Sequence, residues 1–350
     1  MIISDHEIER YSRQMLLPDF SLTGQARLKQ SSVLVIGAGG LGTPVLSYLA
    51  GAGIGKISIV DGDKVELSNL HRQIMYTENN LGKNKAEVIA ARLKQLNAEI
   101  SIEVHQLNLQ ADNAKELIKP FDIVVDCTDN YNARYLINDT CVELEKPFVY
   151  ASLYKTQGQF ALLNWKNGPT YRCIYPNPPG IENSTNCNEA GVIGTLCGVI
   201  GSYQANLVIQ SIVAPENVIH GVLHVLDINT NDLFKFQHKR DYNYEEKSDI
   251  MRSISKYDFF KLDKSNATII DVRDEEEQPV PDDFDRIVIP LTDLREREDE
   301  IPKEGDVYMI CMTGGRSSNA IAYLASKGWE NLINVEGGTV GYFDIKKQIQ

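Results

Sequence analysis

Glycines stand at 37, 39, 40 and 42 in the order Gly-Ala-Gly-Gly-Leu-Gly, a spacing that lets a backbone approach a phosphate closely. They follow the apolar, β-branched run 33–36 and precede a helical stretch opening at Thr43. The helix start adds N–H donors and partial positive charge. Asp61 ends the next apolar run, about 20 residues on, where an acid accepts ribose hydroxyls. Alone, this reads as a site for an adenine nucleotide, NAD among them, or as a tight structural turn. Asn69, Arg72 and Gln73 come just past that run, and Lys85 opens the following helix. Two cations and an amide converging on a glycine loop suit a triphosphate better than a nicotinamide, Arg as a planar fork and Lys as a point charge. Asp129 ends the run 121–130, where one carboxylate suffices to hold Mg²⁺. The plainer alternatives are a solvated Lys85 and an Asp129 that caps a helix. The pattern Gly-x₄-Gly-Lys-Ser/Thr does not occur, which excludes a P-loop.

Two cysteines attract attention for their settings. Cys311 begins Cys-Met-Thr-Gly-Gly-Arg, which ends at Arg316 and lies between an apolar run and a helical pattern. Backbone N–H groups and the helix dipole stabilise a thiolate in such a place. Cys187 sits in the polar, Asn-rich stretch Ser-Thr-Asn-Cys-Asn-Glu, a loop in which either a reactive or an inert thiol is at home. Cys127, Cys141 and Cys197 have apolar or helical surroundings and read as core.

The elements that must position these residues alternate in type. Helical patterns over 6–16, 43–53 and 83–97 interleave with apolar runs at 33–36, 57–60, 99–109 and 121–130. That is the signature of a doubly wound, Rossmann-like α/β sheet, which binds ligands at the carboxyl ends of its strands. From about 236 the chain turns polar and charged and loses apolar periodicity. Residues 236–250 read as a linker between a domain over 1–235 and a smaller α/β domain over 251–350. The second domain shows strands near 266–274, 287–291 and 306–312 and a helix over 317–329.

Five separated motifs occur in order: Tyr-Ser-Arg-Gln at 11–14, the glycine turn at 37–42, Asp-Gly-Asp-Lys-Val-Glu-Leu-Ser-Asn-Leu-His-Arg-Gln at 61–73, Leu-Gly-Lys-Asn-Lys-Ala-Glu at 81–87, and Asp-Cys-Thr-Asp-Asn at 126–130. Together they resemble the MoeB and ThiF adenylyltransferases, bacterial relatives of the ubiquitin-activating enzymes, over residues 1–235. The resemblance implies that Gly40, Asp61, Ser68, Asn69, Leu70, His71, Arg72, Lys85, Asp129 and Asn130 bind ATP and Mg²⁺. It further implies that Arg13 reaches the neighbouring subunit's site, hence a homodimer. The implied substrate is the C-terminal Gly-Gly carboxylate of a ubiquitin-like sulfur-carrier protein of the molybdopterin-synthase or thiamine type. The cysteine matching Cys187 forms a thioester or disulfide to the carrier in that family. A structural zinc held by two Cys-x-x-Cys pairs is usual there, and here the sequence departs. Thr170 takes one position, only Cys173 remains of the first pair, and no cysteine falls near 236–246. His220, His224 and His238 lack ligand spacing, so no zinc is expected.

Residues 251–350 resemble a rhodanese domain through Ile-Ile-Asp-Val-Arg-Asp at 269–274, the Cys311 loop, Asn-Val-Glu-Gly-Gly at 334–338 and a terminal Gly-Tyr-Phe. Four residues separate Cys311 from Arg316; a phosphatase of similar architecture has five. The smaller ring suits the sulfane sulfur of a persulfide, with Arg316 closing the loop. The implied donor is a persulfide-bearing protein such as a cysteine desulfurase. Where the family has His-x-x-Gly-Ala before Ile-Pro-Leu, this chain has Phe-Asp-Arg-Ile-Val.

Composition limits the alternatives. The chain has 350 residues, is 43% hydrophobic and carries a formal charge of −13. Both halves are acidic, which argues against a nucleic acid or an anionic membrane surface as partner. No run of 18 apolar residues occurs, so no transmembrane helix is expected, and the N-terminus lacks a signal-peptide apolar region. Six scattered cysteines fit a reducing cytoplasm better than a disulfide framework. The rival readings are an NAD-dependent oxidoreductase and a non-catalytic scaffold for a carrier protein.

Overall fold

The computed structural model describes residues 3–176, 191–242, 252–325 and 327–349. They fall into two compact units, divided between 242 and 252.

In the first unit the elements are α1 (Asp5–Met15), α2 (Ser21–Gln30), β1 (Ser32–Ile36), α3 (Gly42–Ala52), β2 (Lys56–Val60), α4 (Lys85–Leu96), β3 (Ser101–His105), α5 (Ala114–Ile118), β4 (Ile123–Asp126) and α6 (Tyr131–Glu143). Then come β5 (Phe148–Tyr154), β6 (Gln157–Leu163), α7 (Tyr171–Ile174), a long helix Gly194–Val213, β7 (Val222–Asp227) and β8 (Asp232–Gln237). The strands form one sheet in the order β3-β2-β1-β4-β5-β6-β7-β8. The first five are parallel and the last three antiparallel. The order reverses between β1 and β4, where doubly wound sheets open a ligand crevice.

Side-chain alternation explains why both faces are covered. Val33 and Val35 enter one core with Leu46, Leu49 and Ile200; Leu34 and Ile36 enter the other with Tyr135, Ile137 and Cys141. A strand apolar on both faces reads as an unbroken hydrophobic run, as 33–36 does. The two runs around the acids are shorter than the sequence pattern suggests. β3 stops at His105 and β4 at Asp126, so Asp129 lies in the turn after the strand and does not end it. The polar stretch expected as a linker begins inside the sheet, because Gln237 closes β8.

The helix Gly194–Val213 is long and apolar enough, by length and composition, to cross a membrane. The expectation from apolar runs overlooked it, because Gly, Ser and Gln interrupt the pattern. More than half of it is buried within this unit, against α2, α3, β5 and β6. Gln204 is buried on this helix and donates from Nε2 to the carbonyls of Asp126 (2.8 Å) and Val149 (3.3 Å) at the ends of β4 and β5.

The second unit holds a parallel sheet in the order β11-β10-β12-β13-β9, made of β9 (Arg252–Ile254), β10 (Thr268–Asp271), β11 (Ile287–Val288), β12 (Val307–Ile310) and β13 (Leu332–Val335). Helix Gly315–Ala325 packs Ala320, Ile321 and Leu324 with Ile270 and Met309 on one face. Phe259 and Tyr342, from helices Lys256–Lys261 and Gly338–Ile349, cover Ile269 and Ile310 on the other.

Gln204→Leu withdraws the donors at two strand ends and is expected to cost about 1–3 kcal/mol. Urea titration followed by Trp165 fluorescence in a Trp329→Phe background should show a lower midpoint with an unchanged slope.

Candidate functional site

The glycine turn is fixed by close approach. Gly37 has φ +98°, and a Cβ there would meet Cys127 O at 2.6 Å. A Cβ on Gly42 would lie 2.0 Å from Gly37 O. Only glycine permits a turn this tight between β1 and α3. Two further glycines face the segment after β2: Gly39 toward the Gln73 amide (3.4 Å from its ideal Cβ), Gly40 toward Arg72 Cγ (3.7 Å). The structure thus brings the turn and the residues 69–73 together.

Asp61 follows β2 and ties the turn to its surroundings. Its carboxylate accepts the N–H of Ala38 (2.7 Å) and of Asp63 (2.8 Å). Burial pushes this carboxyl up, against the pull of nearby Lys85. Tyr76, absent from the sequence reading, places its hydroxyl 2.7 Å from Ala38 O and 3.2 Å from Lys85 O, joining the turn to the start of α4.

Lys85 is not a solvated helix lysine. Its side chain is 8% exposed and pairs with Asp63 Oδ2 at 3.0 Å. Its place at the first turn of α4 comes from Asn84, the N-cap, which accepts Glu87 N–H. Arg72 donates to Ser68 O (3.0 Å) and lies 2.9 Å from His71 Nε2. Ser68, Leu70 and His71 flank it in the turn that holds residues 67–69 in one 3₁₀ step. Asn69 and Gln73 are buried, and Asn69 Oδ1 and Gln73 Oε1 accept no hydrogen bond among the described residues. A buried amide oxygen without a donor is costly.

On the other side of the crevice, Asp126 is wholly buried and its Oδ1 accepts Thr128 N–H (2.9 Å) and Oγ1–H (2.6 Å). Arg134 from α6 reaches Asp126 Oδ2 (3.3 Å) and Thr128 O (3.0 Å), with its guanidinium 5.0 Å from the centre of the Tyr150 ring. Asn130, not Asp129, caps the helix: its Oδ1 accepts Ala133 N–H at 2.8 Å. Asp129 is left exposed with no hydrogen bond or ion pair among the described residues. Arg134, Asp126 and Tyr76 escaped the sequence reading. The Asp-x-x-Asp-Asn run signalled acids but not which one turns inward.

Arg13 is exposed on α1. Its neighbours hold the helix in place. Tyr11 is buried and its hydroxyl accepts from Asn97 Nδ2 (2.8 Å), while Gln14 donates to Ala52 O (2.9 Å). Cys187 lies outside the described residues. Burial pushes the thiols of Cys127, Cys141 and Cys197 up and leaves them neutral.

Where the resemblance implies zinc, the residues do not fit one. Cys173 Sγ accepts Thr170 N–H and Asp241 N–H, both at 3.3 Å, and Thr170 Oγ1 lies 3.3 Å away. Arg240 pins the same segment, donating to Asn164 Oδ1 (2.7 Å) and Gly168 O (3.2 Å). His224 stacks on Phe160 with the ring centres 4.7 Å apart. One sulfur ringed by N–H donors offers a metal none of the other three ligands.

In the second unit Cys311 follows β12 and is buried. Its sulfur accepts Gly314 N–H (3.1 Å), and Ser317 Oγ lies 3.5 Å away, itself 2.7 Å from Asn334 Oδ1. Arg316 does not close this loop, contrary to expectation. Its guanidinium turns to Glu277 and makes a two-pronged pair at 2.5 and 2.6 Å. The reason is local: the carboxylate offers two charge-assisted bonds. That pairing holds the Glu277 carboxyl below its usual range.

A sheet whose strand order reverses between β1 and β4, with a glycine turn, an arginine and a buried lysine beside it, places this unit in the doubly wound α/β class. The chain belongs to the ThiF family, whose model matches residues 11–247. Over 225 residues it is 48% identical to the adenylyltransferase and sulfurtransferase MOCS3 of Anopheles gambiae and 49% identical to that of Aedes aegypti. These alignments cover 64% of this chain and 51% and 52% of the relatives, so the chain spans about half the length of the curated relatives it matches. Among solved structures, Escherichia coli MccB with ATP is similar with a TM-score of 0.59 and 25% identity, over 66% of this chain and 72% of that one. MccB with MccA-N7isoASN is similar with a TM-score of 0.60 and 25% identity, over 67% and 72%.

Arg134→Met leaves the Asp126 carboxylate buried without its partner and should cost about 3–5 kcal/mol. The double variant Asp126→Asn/Arg134→Met should recover part of that loss in the same unfolding measurement.

Proposed function

We propose that the first unit adenylates the C-terminal carboxylate of a ubiquitin-like sulfur-carrier protein with ATP, and that Cys311 then supplies sulfur as a persulfide. One observation carries the nucleotide half. Two buried amide oxygens lack donors beside a glycine turn, with Arg72 in the same segment and the buried Lys85 at the start of α4. The relatives' printed names join adenylyltransferase and sulfurtransferase in one protein, and MccB was solved with ATP and with forms of MccA.

The chemistry asks mainly for positioning and charge neutralisation. A carrier carboxylate oxygen attacks the α-phosphorus in line, the bond to the bridging oxygen breaks and pyrophosphate leaves. Gly37, Gly39, Gly40 and Gly42 let the backbone approach the phosphates, while Arg72 and Lys85 meet their charge. Asp61, Ser68, Asn69, Leu70, His71 and Gln73 line the nucleotide's side. Asp129 would hold Mg²⁺, which would supply further neutralisation of the phosphates. Asn130 acts as a cap that sets Asp129. Arg13 is presented to a second copy of the chain, which makes the working form a homodimer.

The mixed anhydride is open to sulfur. The terminal sulfur of a Cys311 persulfide attacks the acyl carbon and AMP leaves, giving an acyl disulfide. A second thiol, Cys187 or an external one, attacks the Cys311 sulfur and releases the thiocarboxylate. Gly314 N–H and the start of helix Gly315–Ala325 stabilise the anionic sulfur.

Asp129→Ala should abolish carrier-dependent ATP–pyrophosphate exchange. Arg72→Ala and Lys85→Ala should each slow it on the order of 10²–10³-fold. Full exchange by a folded Asp129→Ala chain would sink the adenylation reading; hydride transfer from a nicotinamide without pyrophosphate release would replace it by the oxidoreductase one.

Cys311→Ala should leave the exchange intact and stop the gain of one sulfur by the carrier, read by mass spectrometry with a persulfide donor. Full thiocarboxylate yield from that variant would remove the second unit as sulfur source.

A further inference from the structure

Arg316 is the cation nearest Cys311 in the loop, and both ends of its guanidinium are taken by Glu277. The carboxylate is built into place. Asp274 N–H donates to Glu277 Oε1 (3.0 Å), and Glu277 N–H returns to Asp274 O (3.1 Å). Arg273 anchors the same turn from below. It is buried, pairs with Asp271 at 2.7 Å and donates to Pro279 O at 3.0 Å. Arg286 is also committed to Asp271, at 2.9 Å. The segment 274–277 is all acid, Asp-Glu-Glu-Glu, and the nearby Arg273 and Arg286 are held by Asp271.

A sulfur donor can be of two kinds. Thiosulfate is a dianion, and its transfer expels sulfite, another dianion; a free cation at the loop favours both more than it favours a singly charged donor. A persulfide on a cysteine carries at most one negative charge, and it leaves behind a thiol rather than a dianion. The Cys311 thiolate attacks its outer sulfur, the S–S bond breaks, and the departing thiolate takes the proton of the persulfide. This exchange needs no cation beyond the N–H groups that already face Cys311.

We propose that Glu277 is a specificity-determining residue: by occupying Arg316 it denies Cys311 to small sulfur oxyanions and leaves it to persulfides carried on a cysteine. The inference rests on the reading of Cys311 as a sulfur acceptor.

The test uses the full chain with two donors, thiosulfate and cysteine persulfide. Glu277→Gln should raise kcat/KM for thiosulfate in the thiosulfate:cyanide assay roughly tenfold, mainly through KM, the worth of one charge-assisted hydrogen bond. Glu277→Asp, which keeps the charge, should stay near wild type. Carrier-dependent ATP–pyrophosphate exchange and the circular dichroism spectrum report that each variant is folded. Unchanged thiosulfate kinetics in a folded Glu277→Gln chain that does gain sulfur from cysteine persulfide overturns this inference alone. If wild type gains sulfur at Cys311 from neither donor, the sulfur-acceptor reading falls and this inference falls with it.

Discussion

Asp126 has no exposed surface, and its buried charge constrains everything around the crevice. A carboxylate inside a protein must be paired and hydrogen-bonded or give up its charge. Arg134 supplies the charge, Thr128 the N–H and hydroxyl, and both come from the same short turn and helix start. Because Arg134 also binds Thr128 O, the backbone between β4 and α6 has one arrangement. Its other side is set by Gly37, whose missing Cβ makes room for Cys127 O. The glycine turn and the Asp129 turn are therefore two halves of one rigid seam.

That seam explains why charged residues can sit so close together in an acidic chain. Lys85 is buried, and a buried charge calls for a partner of opposite sign. Asp63 is that partner, and it is two-thirds exposed, which leaves it in contact with water while Lys85 is not. Asp61 is spent on backbone N–H groups, which is structural work. An acid at the end of β2 thus serves the turn first, and any ribose contact uses what acceptor capacity remains.

Much of the sheet was legible because its strands are apolar on both faces. The run 33–36 could be read as a buried parallel strand since Val33, Leu34, Val35 and Ile36 each meet a core. The later part of the first unit was not read, for concrete reasons. β5 and β6 join at Lys155, which takes φ +53° without glycine or asparagine to announce it. β8 exposes Leu233, Phe234 and Phe236, so no inward face shows in the pattern. In the site, residue types were legible and partners were not. Spacing put Arg316 at the end of the Cys311 loop, but Glu277 lies 39 residues earlier, and only the fold joins them. The same holds for Arg134, whose meaning depends on the inward turn of Asp126.

The cysteines differ in setting more than in burial. Cys127, Cys141, Cys173, Cys197 and Cys311 are all free thiols. Cys311 is as buried as Cys197, both near 1% exposed. The difference lies in what faces the sulfur. Cys197 presses on Gly40, and burial pushes it toward the neutral thiol. Cys311 has Gly314 N–H aimed at it and an 11-residue helix starting four positions on. Cys173 forms the instructive contrast. It too accepts N–H donors, but from Thr170 and Asp241, which it joins across 68 residues of chain. Its helix, α7, spans only four residues and contributes little dipole. The sulfur of Cys173 is therefore a clasp that closes a long loop by hydrogen bonds. A lone sulfur could not have served a metal there, and the arginine at 240 carries the rest of the clasp. Donor geometry thus separates a thiol at a strand-to-helix turn from one that clasps a long loop, although both accept backbone N–H groups.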